Sequence, residues 1–234
     1  MHSVRNEMMN IGPKLVPFFK TLAIYFVIFP SSDSPSIFGA VLKCLPIISL
    51  MLFILLQGIN LGNRYKYSRR ILTGLVFCCL GDALLVWPNY FTAGMIAFAI
   101  GHVNYIIAFG FKPLNFTVGV IVLALDIAGI IYLFPGIQGI VLSFGVPVYI
   151  IILGIMMWRA LAQLNSMKVD IKNWNKLCSS LGGTLFVLSD LILGINVFRY
   201  KVNYAQTLIM SSYYTAQLGI ALSVVDSSHG CEIS

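Results

Sequence analysis

The sequence predicts an all-α, polytopic integral membrane protein of about eight transmembrane helices in a single transmembrane domain spanning residues 1–234. Three observations predict it. Apolar stretches close to 20 residues long recur without a charge, the signature of a bilayer-spanning helix. Only 10% of the residues are charged while 59% are hydrophobic, where a soluble domain carries roughly 25% charged residues. The basic residues gather in short connections, where Lys and Arg set membrane orientation. The net charge of +7 therefore reads as an orientation signal, not as the footprint of a nucleic acid.

The spans fall at 15–29, 37–59, 70–87, 91–111, 114–134, 140–163, 176–198 and 205–225. Each is helical, because backbone in hydrocarbon must satisfy its own hydrogen bonds. The first contains Lys20, follows a polar amino-terminal stretch and lacks a small-x-small cleavage site, so it reads as an uncleaved helix and not a signal peptide. Pro30 to Ser36 is a Pro/Ser-rich loop. Trp87-Pro88-Asn89, Lys112-Pro113 and Phe134-Pro135-Gly136 supply the chemistry of tight turns.

One side of the membrane receives Arg5, Lys14, Arg64, Lys66, Arg69, Arg70, Lys112, Lys168, Lys172 and Lys176, and the other Arg199 and Lys201. That bias puts both termini in the cytosol. It also puts the glycosylation sequon Asn115-Phe116-Thr117 on the cytosolic face. Cys44, Cys78, Cys79, Cys178 and Cys231 form no C-x-x-C motif and are odd in number, so they read as reduced packing residues.

An internal repeat is present. Leu80-Gly81-Asp82-Ala83-Leu84-Leu85 resembles Leu188-Ser189-Asp190-Leu191-Ile192-Leu193 at an offset of 108, at which Tyr105 also meets Tyr213 and Ala108 meets Ala216. The matched spans lie four apart and so point the same way. The pattern implies two parallel four-helix halves, 15–111 and 114–225, related by an axis along the membrane normal.

A charge at bilayer depth costs at least ~2.5–3.5 kcal/mol and usually faces the bundle interior in a functional role. Lys43, Asp82, Asp126 and Asp190 are such charges, and His102 is the histidine within a span. At a rise of ~1.5 Å per residue, Asp82 lies ~18 Å and Asp190 ~21 Å from the cytosolic edge. From the opposite edge Lys43 lies ~9 Å, His102 ~16 Å and Tyr213 ~12 Å deep. In a core of ~30 Å these depths overlap in the outer half of the membrane.

His102, Tyr105 and Phe109 share one helix face, as do Tyr213 and Gln217, with Tyr214 three residues before Gln217. Gly183, Asp190 and Gly194 share another, where small residues admit a neighbouring helix. Lys43 precedes Pro46, which frees a backbone carbonyl. The structural readings stand beside the functional ones. Lys43 fits a counter-ion, His102 a packing histidine, and the tyrosines and Gln217 interhelical glue. Asp126 has no repeat mate and reads as part of a local network. One histidine within the spans and no Cys/His spacing motif leave too few ligands for zinc, and no phosphate loop or dinucleotide fingerprint implies a cofactor.

Taken in order along the chain, these motifs resemble the lysoplasmalogenase-like transmembrane family, also called YhhN-like. The matching segments are Gly12-Pro13-Lys14-Leu15-Val16-Pro17-Phe18-Phe19-Lys20, Lys43-Cys44-Leu45-Pro46, Gly81-Asp82-Ala83-Leu84-Leu85 and Gly101-His102 with Tyr105. Ala108-Phe109-Gly110, Ser189-Asp190-Leu191 and the run from Ala205 to Gln217 follow. The amino-terminal segment resembles the animal branch, which implies an endoplasmic reticulum protein. The residue before His102 is Gly, where the family pattern suggests something larger.

The resemblance implies an ether hydrolase. It would use water to cleave the vinyl ether bond of a lysoplasmalogen lipid, releasing a fatty aldehyde and glycerophosphocholine or glycerophosphoethanolamine. The residues suit that chemistry. Protonation of carbon gives an oxocarbenium ion, water adds, and the hemiacetal collapses, so a proton donor and a stabilising carboxylate are needed. Asp82 and Asp190 supply two carboxyl groups, with Lys43, His102, Tyr105, Tyr213, Tyr214 and Gln217 to orient substrate and water. Which aspartate is acid and which is base stays open. Two other classes fit the same residues: a proton-coupled transporter or lipid translocator, whose parallel repeats carry midplane aspartates, and another membrane lipid hydrolase such as a ceramidase.

Overall fold

A computed structural model describes residues 2–28, 35–164 and 174–225. Lys168, Lys172, Cys231 and most of the 30–36 loop lie outside the described residues. Among the described residues eight α-helices follow one another: α1 (His2–Ile28), α2 (Ile37–Leu55), α3 (Lys66–Leu84), α4 (Phe91–Phe109), α5 (Phe116–Leu133), α6 (Ile140–Ala162), α7 (Trp174–Phe198) and α8 (Ala205–Leu222). Seven lie within a few residues of the expected spans. The first differs: α1 begins well before residue 15 and runs through Pro13 and Pro17. A helix bonds along its own backbone and need not stop where its apolar run stops.

Six of the helices are long and apolar enough to cross a membrane, and α3 and α8 fall outside that set. Their composition is the physical reason. α3 carries Lys66, Arg69, Arg70 and Asp82, and α8 is rich in Ser, Thr, Tyr and Gln. Asp82 of α3 and Tyr213, Tyr214 and Gln217 of α8 are among the polar groups they bury. α5 is the opposite case, with only Val122 and Leu133 buried along its length.

Two pairs of helices pack most closely, α3 on α4 and α7 on α8. Glycine makes both approaches possible. A Cβ on Gly101 would sit 2.8 Å from the Cys78 sulfur, and one on Gly182 would sit 2.7 Å from the Ala216 carbonyl oxygen. Small residues let helix backbones come together in this way. Phe18 and Tyr25 of α1, Leu50 and Phe53 of α2, Met156 of α6 and Phe186 of α7 fill the core around these pairs.

The helix ends are tied to one another. Lys14 donates to the Leu56 carbonyl at 3.1 Å and to Gln57 Oε1 at 3.1 Å, joining α1 to the end of α2. Tyr67 and Ser223 share a hydrogen bond of 2.7 Å between the start of α3 and the end of α8. Arg159, fully buried near the end of α6, donates to the carbonyls of Gly110 at 2.6 Å and Pro113 at 2.9 Å. The α4–α5 connection thus finds partners for its carbonyls on α6. Asn115 caps α5, its Oδ1 accepting the Val118 amide at 3.3 Å. Cys44, Cys78, Cys79 and Cys178 are free thiols.

Candidate active site

Asp82 lies near the carboxyl end of α3 and is 1% exposed. Its two oxygens have different partners. Oδ1 stands 3.4 Å from the Lys43 ammonium of α2. Oδ2 accepts the Tyr213 hydroxyl of α8 at 2.5 Å. Opposite charges and a strong donor compensate this carboxylate for its lost water, as a buried charge requires. Lys43 reaches Asp82 from a turn containing Pro46, and its own backbone carbonyl accepts the Tyr214 hydroxyl at 2.8 Å. Tyr214 is therefore a tie between α8 and α2, and its ring packs edge-on against Tyr25 of α1.

A chain of amides and phenols extends from this pair. The Tyr213 oxygen accepts Gln217 Nε2 at 3.3 Å, and Gln217 Oε1 accepts the Tyr105 hydroxyl of α4 at 2.8 Å. Gln217 and Tyr105 are both fully buried. The i, i+4 spacing of Tyr213 and Gln217 produces their contact directly. Gly74 on α3 leaves room for the Tyr105 ring.

Asp190 on α7 has another environment. Its side chain keeps 14% of its surface exposed. Its Oδ2 accepts the Tyr149 hydroxyl of α6 at 2.5 Å, and the same hydroxyl lies 3.0 Å from His102 Nε2 of α4. His102 Nε2 stands 4.0 Å from that Asp190 oxygen. The histidine is 0% exposed, and its Nδ1 has no hydrogen-bond partner among the described residues.

Two aromatic rings join these halves. Phe186 packs edge-on to His102 at 4.6 Å and to Tyr213 at 5.3 Å between centroids. Phe98 stacks on His102 at 6.3 Å and meets Tyr213 at 5.9 Å. The six helices α2, α3, α4, α6, α7 and α8 thus converge on one cluster holding Lys43, Asp82, His102, Tyr105, Tyr149, Asp190, Tyr213, Tyr214 and Gln217. Asp126 stays apart on α5, where Gly154 of α6 makes space for its carboxyl.

Sequence reasoning passed over Tyr149, Phe98 and Phe186. The two phenylalanines look like any apolar residue in a span. Tyr149 carried one signal: a lone phenol in an apolar helix, two residues past the helix-interrupting Pro147. The repeat pointed elsewhere. At an offset of 108, Tyr105 stands to Asp190 as Tyr213 stands to Asp82, yet the phenol on Asp190 comes from α6.

The chain has relatives among known proteins. The chain is 42% identical over 223 residues to lysoplasmalogenase TMEM86A of Bos taurus, covering 94% of this chain and 92% of the relative. It is 41% identical to lysoplasmalogenase TMEM86A of Homo sapiens over 225 residues, with the same coverage. To lysoplasmalogenase TMEM86B of Sus scrofa it is 37% identical, covering 94% of this chain and 90% of the relative. No solved structure matches it. The model of the YhhN family matches residues 38–224, a stretch that contains every residue of the cluster, and the chain belongs to the YhhN family.

Proposed function

We propose that this chain is a lysoplasmalogenase, an ether hydrolase that uses water to cleave the vinyl ether bond of a lysoplasmalogen into a fatty aldehyde and a glycerophospho-alcohol. The observation that carries the reading is the 42% identity, over 94% of the chain, to a protein named lysoplasmalogenase. The geometry supports it by supplying two carboxyl groups with unlike partners, as acid catalysis beside a forming cation requires.

The unlike partners divide the labour between the aspartates. Asp82 is paired with the Lys43 ammonium, so it stands as the carboxylate that stabilises the oxocarbenium ion. Asp190 has phenol and imidazole neighbours in place of an ammonium. A buried carboxyl without a cation is cheaper neutral than charged, and this one is fit to hold the proton delivered to the vinyl carbon. Its residual exposure, absent at Asp82, is where substrate reaches it. Choline and ethanolamine headgroups, residence in the endoplasmic reticulum and cytosolic termini complete the reading.

Purified protein in detergent, given a lysoplasmalogen, is expected to release fatty aldehyde. A transporter releases none, and a ceramidase needs an amide substrate. Asp82→Asn and Asp190→Asn are each expected to lower turnover by at least ~10²-fold, the usual scale of a lost acid–base group, with expression unchanged. Substantial aldehyde release by both variants would sink the assignment.

A further inference from the structure

The Tyr149 hydroxyl carries one proton and has two acceptor-capable neighbours. It gives that proton to Asp190 Oδ2 at 2.5 Å, so the acid proton of a neutral Asp190 sits on Oδ1. The 3.0 Å contact with His102 Nε2 must then run the other way, with the imidazole N–H donating to the phenol oxygen. A neutral imidazole protonated on Nε2 is bare on Nδ1. That atom is the one left without a hydrogen-bond partner in a histidine that is 0% exposed. Buried acceptors in native proteins are almost always satisfied, and an orphan calls for an explanation.

We propose that Tyr149 is a positioning residue that locks His102 in the Nε2-protonated tautomer, leaving Nδ1 as the base that takes a proton from the attacking water. The inference rests on the hydrolytic reading above and deepens it. Asp190 gives its proton to the vinyl carbon and becomes a carboxylate. Water bonds to the oxocarbenium carbon and its proton passes to Nδ1. The Nε2 proton moves to the Tyr149 oxygen, and the Tyr149 proton moves to Asp190 Oδ2. The acid is restored with the proton that the water lost. Collapse of the hemiacetal runs the relay backwards. Nδ1 returns its proton to the departing glycerol oxygen, Tyr149 reprotonates Nε2, Asp190 Oδ2 reprotonates Tyr149, and Asp190 accepts the hemiacetal hydroxyl proton. Every group ends as it began. The partial exposure of the Asp190 side chain gives the relay its mouth toward substrate.

The test is nitrogen NMR of the full-length protein in detergent, with histidine labelled on both ring nitrogens and the His102 signal assigned by its loss in His102→Asn. Wild type is expected to show Nε2 protonated and Nδ1 bare. Tyr149→Phe is expected to mix the tautomers and to lower kcat by ~10²-fold with KM unchanged. A protonated Nδ1 in wild type overturns the proposal, and this measurement needs no variant to fold. So does a Tyr149→Phe protein with wild-type kcat or an unmixed tautomer. If wild type releases no aldehyde while its tautomer is as stated, it is the lysoplasmalogenase reading that fails, and the positioning of His102 by Tyr149 stands.

Discussion

The Lys43–Asp82 pair is buried on both sides, with side chains 10% and 2% exposed, so its energetics differ from those of a surface ion pair. Removing one partner of a buried pair leaves an uncompensated charge and costs about 3–5 kcal/mol. Lys43→Met is expected to lower stability by that order, seen as a lower melting temperature in detergent. Asp82→Asn keeps an acceptor for Tyr213 but strands the buried Lys43 ammonium, and is expected to cost on the same order. The double variant Lys43→Met/Asp82→Asn removes both charges and is expected to recover most of the stability lost by Lys43→Met, with aldehyde release still abolished. Losses that add in the double variant are the contrary result, since groups that do not interact show additive effects. The two aspartates were legible in the sequence because a carboxyl in a span is costly and therefore rare. Tyr149 was not, because a phenol in a span also serves as helix glue. What singles it out is the 2.5 Å contact with a carboxyl 41 residues away, and no local pattern encodes that distance.

At the scale of elements, α7 and α8 meet through glycine at two levels. A Cβ on Gly219 would sit 2.8 Å from the Cys178 carbonyl oxygen, matching the approach at Gly182. Ala216, which faces Gly182, immediately precedes Gln217 in the polar chain. Gly182→Val is therefore expected to pry α8 from α7, costing about 1–3 kcal/mol as overpacking does, and to reduce turnover through Tyr213 and Gln217. Gly129→Ala on α5 has open space around it and is expected to leave both melting temperature and turnover unchanged. Equal behaviour of the two variants contradicts close packing at Gly182. Gly74 and Gly182 also differ by 108, the offset of the repeat, and each admits the next helix of its own half. This supports, as a proposal, the two halves 15–111 and 114–225. Helix positions were readable because turn residues and apolar runs agree. The exchange of partners between halves was not, since it depends on how the halves rotate about each other.

The whole molecule shows why the basic residues belong to one face. Hydrogen bonds join Lys14 of α1 to the end of α2, the start of α3 to the end of α8, and the α4–α5 connection to the end of α6. Arg70 near the start of α3 bonds Asn104 near the end of α4 at 3.1 Å. These contacts gather Lys14, Arg64, Lys66, Arg69, Arg70, Lys112 and Lys176 at one end of the bundle, while Arg199 and Lys201 fall at the other, beside Tyr132 through the Arg199 ring contact at 4.9 Å. Lys and Arg are retained on the cytosolic side, which supports the proposal that this end faces the cytosol. Two observations then belong together. A tag at either terminus is expected to be digested by protease added to sealed microsomes. Asn115, at the same end of the bundle, is expected to carry no glycan despite its sequon, so an endoglycosidase leaves the chain's mobility unchanged. Protected tags with a glycan on Asn115 invert the bundle, moving the Asp82–Asp190 cluster into the half of the membrane nearer the cytosol and changing the leaflet from which a lysolipid reaches Asp190.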